Sequence, residues 1–142
     1  MSQYPIDQAQ TLEIQFQVAN ASQLHLIIRR NGSISRRGDG EQPDGPIAMG
    51  RIEGEVFTSL VDSLPEEVWS EPGRYELSRQ GGDPFLLSVG LTGEGLDTGL
   101  AFQYDSEGVG PPEELIEFVE AALDATEEWY QDQLPQKHRK GR

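Results

Sequence analysis

The sequence predicts an α+β fold, in which an antiparallel sheet of five or six strands, built from a meander and hairpins, carries one short and one long amphipathic helix on one face. Residues 12–37 and 74–104 contain segments that alternate apolar and polar side chains, as strands do. A segment with apolar residues three and four positions apart follows each stretch. This order of strands, helix, strands and helix favours an antiparallel sheet with both helices on one side.

The first strand has the clearest alternation in the chain. Its buried side is predicted to carry Leu12, Ile14, Phe16 and Val18. A turn at residues 20–22 leads into a second strand over residues 23–30, which Asn31-Gly32 follows directly. Asn-Gly between two extended segments favours a two-residue type I′ turn, so residues 33–37 are predicted to return antiparallel as the third strand of a meander.

The middle of the chain is predicted to be an exposed connection followed by a short helix. Residues 38–54 are rich in glycine and contain two prolines and two Asp-Gly pairs, which are typical of loops. Residues 56–64 then place apolar side chains at helical spacing, and this helix is predicted to end before Pro65. Residues 65–69 fit one further turn.

Three further strands are predicted in the second half of the chain. Alternating apolar residues mark them at 74–79, 84–91 and 99–104. Gly81-Gly82 is predicted to form a hairpin turn between the first two.

The last predicted helix spans residues 111–133. Pro111 and Pro112 open it, and Glu113 and Glu114 follow in its first turn, as the N-terminus of a helix favours. The segment carries eight acidic residues and no basic one. Its apolar stripe is predicted to pack on the sheet and consists of Leu115, Ile116, Phe118, Val119, Ala122, Leu123, Thr126, Trp129 and Tyr130.

Composition limits the classes of protein. The chain has 142 residues, a formal charge of −14 and no cysteine, so we expect one α+β domain over residues 1–136 in a reducing cytoplasm. Residues 137–142 carry four positive charges and are predicted to be a disordered tail. A body this acidic argues against general nucleic-acid binding, and no apolar run is long enough to span a membrane.

No pattern of residues predicts a catalytic, cofactor or metal site. The two histidines are His25, inside a predicted strand, and His138, in the tail, and no serine lies in a nucleophile-elbow motif. The glycine-rich stretches lack the Lys-Ser/Thr ending of a phosphate loop. Two sets of carboxylates were weighed as metal or acid–base groups and are interpreted as solvated loop acids: Asp39, Glu41 and Asp44, and Asp97, Asp105 and Glu107.

Two charged sets are the candidate contacts to a partner. Four of the eleven basic residues surround the predicted hairpin tip, and guanidinium groups suit carboxylate or phosphate partners. This cationic set is Arg29, Arg30, Arg36 and Arg37. The exposed face of the last helix supplies an anionic set of Glu117, Glu120, Asp124 and Glu128. The alternatives are pairing of the arginines with the chain's own acidic surface, protection of an edge strand and, for the acids, simple solubility.

Three classes of function remain open. We favour a non-catalytic protein-interaction module, accessory or inhibitor-like, whose charged surfaces meet complementary charge on another protein. A carboxylate-dependent enzyme is one alternative, and the absence of a nucleophile, base or cofactor motif weighs against it. A self-associating structural domain is the other, in which Trp69, Trp129 or Tyr130 extends into a homodimer contact.

Overall fold

The computed structural model describes residues 8–19, 21–38, 46–76, 84–105 and 110–134. Across these ranges the chain forms seven strands and three helices. Their bounds are β1 (Ala9–Val18), β2 (Ala21–Arg29), β3 (Ser33–Gly38), β4 (Ile47–Arg51), α1 (Gly54–Asp62), α2 (Glu67–Ser70), β5 (Gly73–Glu76), β6 (Pro84–Gly93), β7 (Leu96–Asp105) and α3 (Glu113–Gln133).

The strands form one mixed sheet in the order β4-β3-β2-β1-β6-β7-β5. All neighbours are antiparallel except β5 and β7, which run parallel. The predicted α+β class and the meander of the first three strands are confirmed. The prediction of five or six strands, all antiparallel, is corrected to this mixed sheet of seven described strands.

β4 lies inside the stretch that the sequence predicts to be irregular. Its residues Ile47, Met49 and Arg51 alternate with Ala48 and Gly50, and only Ala48 of the five is buried. Glycine and proline around this segment hide the alternation because they mark turns at its flanks. The sheet therefore begins one strand further out than the sequence predicts.

β5 pairs with β7 rather than with β6, so the predicted hairpin between the strands at 74–79 and 84–91 is wrong. β6 pairs over its length with both β1 and β7 and leaves no side for β5. Four exposed residues form β5, and its Tyr75 ring stacks on Phe102 of β7 with centroids 5.3 Å apart. Gly81-Gly82 lies outside the described residues.

The turn between β2 and β3 also differs from the predicted type I′ turn. It has three residues, Arg30 to Gly32, and Gly32 has a positive φ of 94° whereas Asn31 does not. The Asn31 side chain instead accepts a hydrogen bond from the Ser33 N–H at 2.9 Å. This is the form of a three-residue hairpin loop with one left-handed glycine.

All three helices pack on one face of the sheet, which we call the covered face. Phe57 of α1, Val68 of α2 and Leu115 of α3 join the inward side chains of β1, β2, β6 and β7 in one apolar core. α3 runs from the Tyr104 end of β7 towards β4, where the ring of Trp129 lies against Gly50. The prediction of one short and one long helix is corrected to three helices, because the turn predicted at 65–69 forms the separate helix α2.

Candidate protein-binding face

The opposite face of the sheet, which we call the open face, is not covered by any helix of the described chain. Over β2, β3 and β4, strand register arranges its side chains in rows that cross the strands. We define these nine residues as the basic patch: His25, Ile27 and Arg29 of β2, Ser33, Ser35 and Arg37 of β3, and Ile47, Met49 and Arg51 of β4. With strands about 4.8 Å apart and alternate residues about 6.8 Å apart, the patch spans roughly 10 by 14 Å.

The apolar side chains of the basic patch are Ile47 and Met49 on its outer strand and Ile27 on β2, and Ser35 occupies its centre. Met49 lies opposite Ser35, and Ser35 lies opposite Ile27, so one row crosses all three strands with no charge. Met49 is 73% exposed and Ile47 is 62% exposed, the two highest values among the exposed large apolar residues of the described chain. Apolar surface of this kind, rimmed by charge, is typical of an interaction site.

Basic side chains lie on both sides of the uncharged row formed by Ile27, Ser35 and Met49. Arg37 lies between His25 and Ile47 in one flanking row. Arg51 and Arg29 lie at the other end of the patch, where Arg51 also donates a hydrogen bond to the Asn31 backbone oxygen at 3.3 Å. The nine residues of the patch include three arginines and no acidic residue, in a chain whose formal charge is −14. The sign of the charge is therefore reversed here.

A half-buried contact between His25 and Glu13 borders the patch. His25 Nε2 lies 2.6 Å from Glu13 Oε2 on β1, and the Gln15 side chain donates to the same carboxylate oxygen at 3.1 Å. Beyond them the open face forms a groove of about 250 Å³, lined by Glu13, Gln15, Arg74, Ser88 and the backbone of small residues of β6 and β7. Ser88 and His25 both lie opposite Gln15, on either side of β1, so their Cα atoms are about 9.5 Å apart.

The predicted cationic set is divided between two faces. Arg29 and Arg37 lie on the open face, as above. Arg30 bends to the covered side, where its Nε donates to the Ala9 oxygen at 2.7 Å and its guanidinium lies 5.1 Å from the centre of the Phe57 ring. The four residues therefore do not form one surface.

Arg36 is fully buried and joins β3 to α3. Its guanidinium donates hydrogen bonds to the oxygens of Gly38, Leu123, Thr126 and Glu127 at 2.8–3.2 Å. It also lies 4.4 Å from the centre of the Tyr130 ring. For this residue the geometry matches the alternative of pairing with the chain's own acids, and its side chain has no surface to offer a partner.

The predicted anionic set lies together on the outer side of α3. Glu117, Glu120, Asp124 and Glu128 are all exposed and recur at helical spacing. Residues 52–73, which include α1 and α2, add six acidic residues and no basic one. The layer of helices is thus strongly negative, on the opposite side of the sheet from the basic patch.

The carboxylates that the sequence offered for chemistry do not meet. Asp97 and Asp105 lie near opposite ends of β7, about 27 Å apart along an extended strand. Asp105 is buried, so its interpretation as a solvated loop acid is wrong. Glu107, Asp39, Glu41, Asp44, His138 and the tail 137–142 are outside the described residues. Within the described residues, no three His, Asp or Glu side chains lie close enough together to hold a metal ion.

A second groove of about 250 Å³ opens on the covered face, between α3 and the sheet. Phe16, Leu24, Leu87, Ile116 and Leu123 give it mostly apolar walls, and Glu120 lies at its rim. Tyr104 also lines it, and burial raises the pKa of the Tyr104 hydroxyl above its ordinary value because the site disfavours the phenolate. Ile116, predicted to be in the packed stripe of α3, is 38% exposed beside this groove.

Sequence reasoning missed Ile47, Met49 and Arg51 because they lie in a segment interpreted as a loop. Alternation over residues 47–51 was the available signal, but five residues between glycines are too few to separate a strand from a loop. Ile27 and Ser35 were within predicted strands, yet their position beside Met49 depends on strand register.

Comparison with known protein families, curated proteins and solved structures finds no match to this chain. The described helices include none that is long and apolar enough to cross a membrane.

Proposed function

We propose that the chain is a non-catalytic protein-interaction module, accessory or inhibitor-like, that binds an acidic surface of another protein through the basic patch. The observation that carries the proposal is the combination of exposed Ile47 and Met49 with flanking arginines and no acidic residue. Protein interfaces are enriched in methionine and arginine relative to the rest of the surface.

The distribution of charge supports an oriented encounter. Residues 52–73 and 111–133, which include the three helices of the covered face, contain 14 of the 25 acidic residues, while Arg29, Arg37 and Arg51 lie on the open face. A negatively charged partner is repelled by the helical side and attracted to the patch, so complementary charge favours one approach. Affinity should therefore fall as salt rises, because screening shortens the range of this attraction.

The anionic set on α3 is a separate prediction. Glu117, Glu120, Asp124 and Glu128 face away from the patch, so a partner bound to the patch does not reach them across the sheet. They would contact a second, basic surface or serve solubility. We also propose a cytoplasmic location and no general nucleic-acid binding, which are predictions from the lack of cysteine and from the negative charge.

Affinity capture from nuclease-treated native lysate tests the proposal. The bait pair is the wild-type protein and Arg29→Glu/Arg37→Glu, which reverses two charges of the patch. Arg74→Glu is the matched control, because Arg74 is exposed on the open face at β5, outside the patch. We expect a stoichiometric protein that is retained by Arg74→Glu, lost with the double variant and released progressively by salt.

Equal capture by all three baits would contradict the proposal, as would a captured protein whose binding is indifferent to salt. A mass that rises with protein concentration, with no second protein bound, would instead favour the self-associating domain. Each variant is first checked for wild-type thermal unfolding, so that loss of binding is not loss of folding.

A further inference from the structure

The outer edge of β4 has no strand partner among the described residues. Ile52 donates its backbone N–H to the Gly32 oxygen at 2.8 Å, so the backbone groups of Ile52 face the β3 side. Backbone groups alternate in direction along an antiparallel strand, so those of Ala48 and Gly50 also point toward β3. Those of Ile47, Met49 and Arg51 then point outward, and in the described chain no strand pairs with that side of β4.

The two edges of the sheet differ in how they are protected. β5, at the far edge, has four residues, of which Arg74 and Glu76 are charged. Short length and charge are common protections of an edge strand against pairing. β4 has a charge only at its end, at Arg51, and its two exposed apolar side chains lie on the same residues whose backbone groups point outward. This edge therefore offers both a backbone ladder and apolar contacts.

Charge decides between the occupants of this edge. A second copy paired through β4 would bring a second Arg37 and Arg51 to a region that already has three arginines, and would join two bodies that are each charged −14. An acidic segment of a different protein has the opposite effect, since its carboxylates neutralise the patch. Complementarity thus favours an acidic strand over self-pairing.

We propose that β4 binds an extended, acidic peptide segment of the partner as an eighth strand of the sheet. This inference deepens the proposed function and depends on it. Backbone hydrogen bonds to Ile47, Met49 and Arg51 give affinity, and side chains at alternate positions of the segment give specificity. The segment places apolar side chains beside Ile47 and Met49 and a carboxylate beside Arg51, since cross-strand neighbours lie about 5 Å apart.

The variant Met49→Pro removes the central outward N–H of β4 and no hydrogen bond to β3. Proline is tolerated on an edge strand when its missing N–H would face solvent. Met49→Thr is the matched control: it also removes the thioether side chain but keeps the N–H and suits a strand. Both are compared with wild type for thermal unfolding before binding is measured.

The probe is a displayed library of short random peptides selected on the wild-type protein. We expect enrichment of peptides that alternate apolar residues and contain acids. Their affinity should fall at least about tenfold in Met49→Pro and less in Met49→Thr, in line with the weight of central interface contacts. Binding to the wild type should also slow the amide exchange of Met49 and Arg51, a readout that needs no variant.

Three results would overturn the strand proposal: selected peptides without acids, equal affinity for Met49→Pro and Met49→Thr, or slowed exchange only outside β4. The two proposals fail separately. If Arg29→Glu/Arg37→Glu abolishes capture of the cellular partner while Met49→Pro leaves it unchanged, the patch binds protein and the added strand is refuted. If neither variant changes capture, the proposed function itself is refuted.

Discussion

Replacing the buried arginine with leucine, Arg36→Leu, should destabilise the fold by about 3 kcal/mol, at the lower end of the range for breaking a buried pair. Four hydrogen bonds are lost, and the Gly38 oxygen is left without this donor in a region that water does not reach, while the Thr126 hydroxyl keeps its hydrogen bond to the Ala122 oxygen. Each buried group without a partner costs roughly 1–3 kcal/mol. The Glu127 carboxylate is 38% exposed and regains hydration, which keeps the cost from rising further.

Urea unfolding followed by far-UV circular dichroism measures this change. A loss of about 3 kcal/mol is a large part of the roughly 5–15 kcal/mol typical of a domain, and should lower the Tm by about 10 °C. Arg37→Leu is the matched control, because it removes the same group one residue along the strand, on the opposite face. A half-buried arginine on the open face should cost under about 1 kcal/mol.

Equal stabilities of Arg36→Leu and Arg37→Leu would refute this reasoning. The slope of the free energy of unfolding against urea concentration must also be the same in the variant and the wild type. A changed slope would indicate that the surface exposed on unfolding has changed, rather than that the hydrogen bonds of Arg36 have been lost.

Three further predictions concern the covered face and the backbone. Burial raises the pKa of Tyr104 in the folded chain, so the contribution of Tyr104 to stability is complete below about pH 10 and is lost as pH rises through the folded pKa. In urea unfolding at alkaline pH, Tyr104→Phe should therefore lose less stability than the wild type. Gly38→Ala should cost about 2 kcal/mol or more of stability, since φ is +81° and the added Cβ would lie 2.3 Å from the Gln23 oxygen. Gly90→Ala is the control, because its Cβ would lie 3.8 Å from the nearest atom, and it should change stability by under about 1 kcal/mol in the same assay. Phe57→Ala should cost about 3–5 kcal/mol by urea unfolding, because the ring is fully buried between α1 and the sheet; a cost below about 1 kcal/mol would contradict this placement.

The elements that could be predicted are those whose signal is local and long. The alternation from Leu12 to Val18 and the opening of α3 by Pro111 and Pro112 are of this kind, since each side chain's place follows from the period of its own element. β4 and the parallel pairing of β5 could not be predicted, because a short strand pairs with whichever neighbouring strand has an unpaired edge in the folded sheet. The buried N–H and C=O groups of their neighbours, which need partners, decide that position.

The candidate site was predictable only in part. Arginine enrichment around the β2–β3 hairpin was visible, but one residue of register separates Arg36 in the core from Arg37 on the open face. The strand over residues 33–37 was predicted from the Asn31-Gly32 turn, and Ile34 is its one apolar residue, so the sequence did not indicate that Arg36 shares the inward face of Ile34. The contribution of Ile47 and Met49 to the patch required the fourth strand.

The central claim is that the basic patch, rather than the acidic side of α3, contacts the partner. Amide hydrogen exchange of the wild-type protein with and without the captured partner tests it most directly. The account predicts slowed exchange in β3 and β4, with α3 unchanged around Glu120 and Asp124. Slowed exchange confined to α3, with β3 and β4 unaffected, would contradict it.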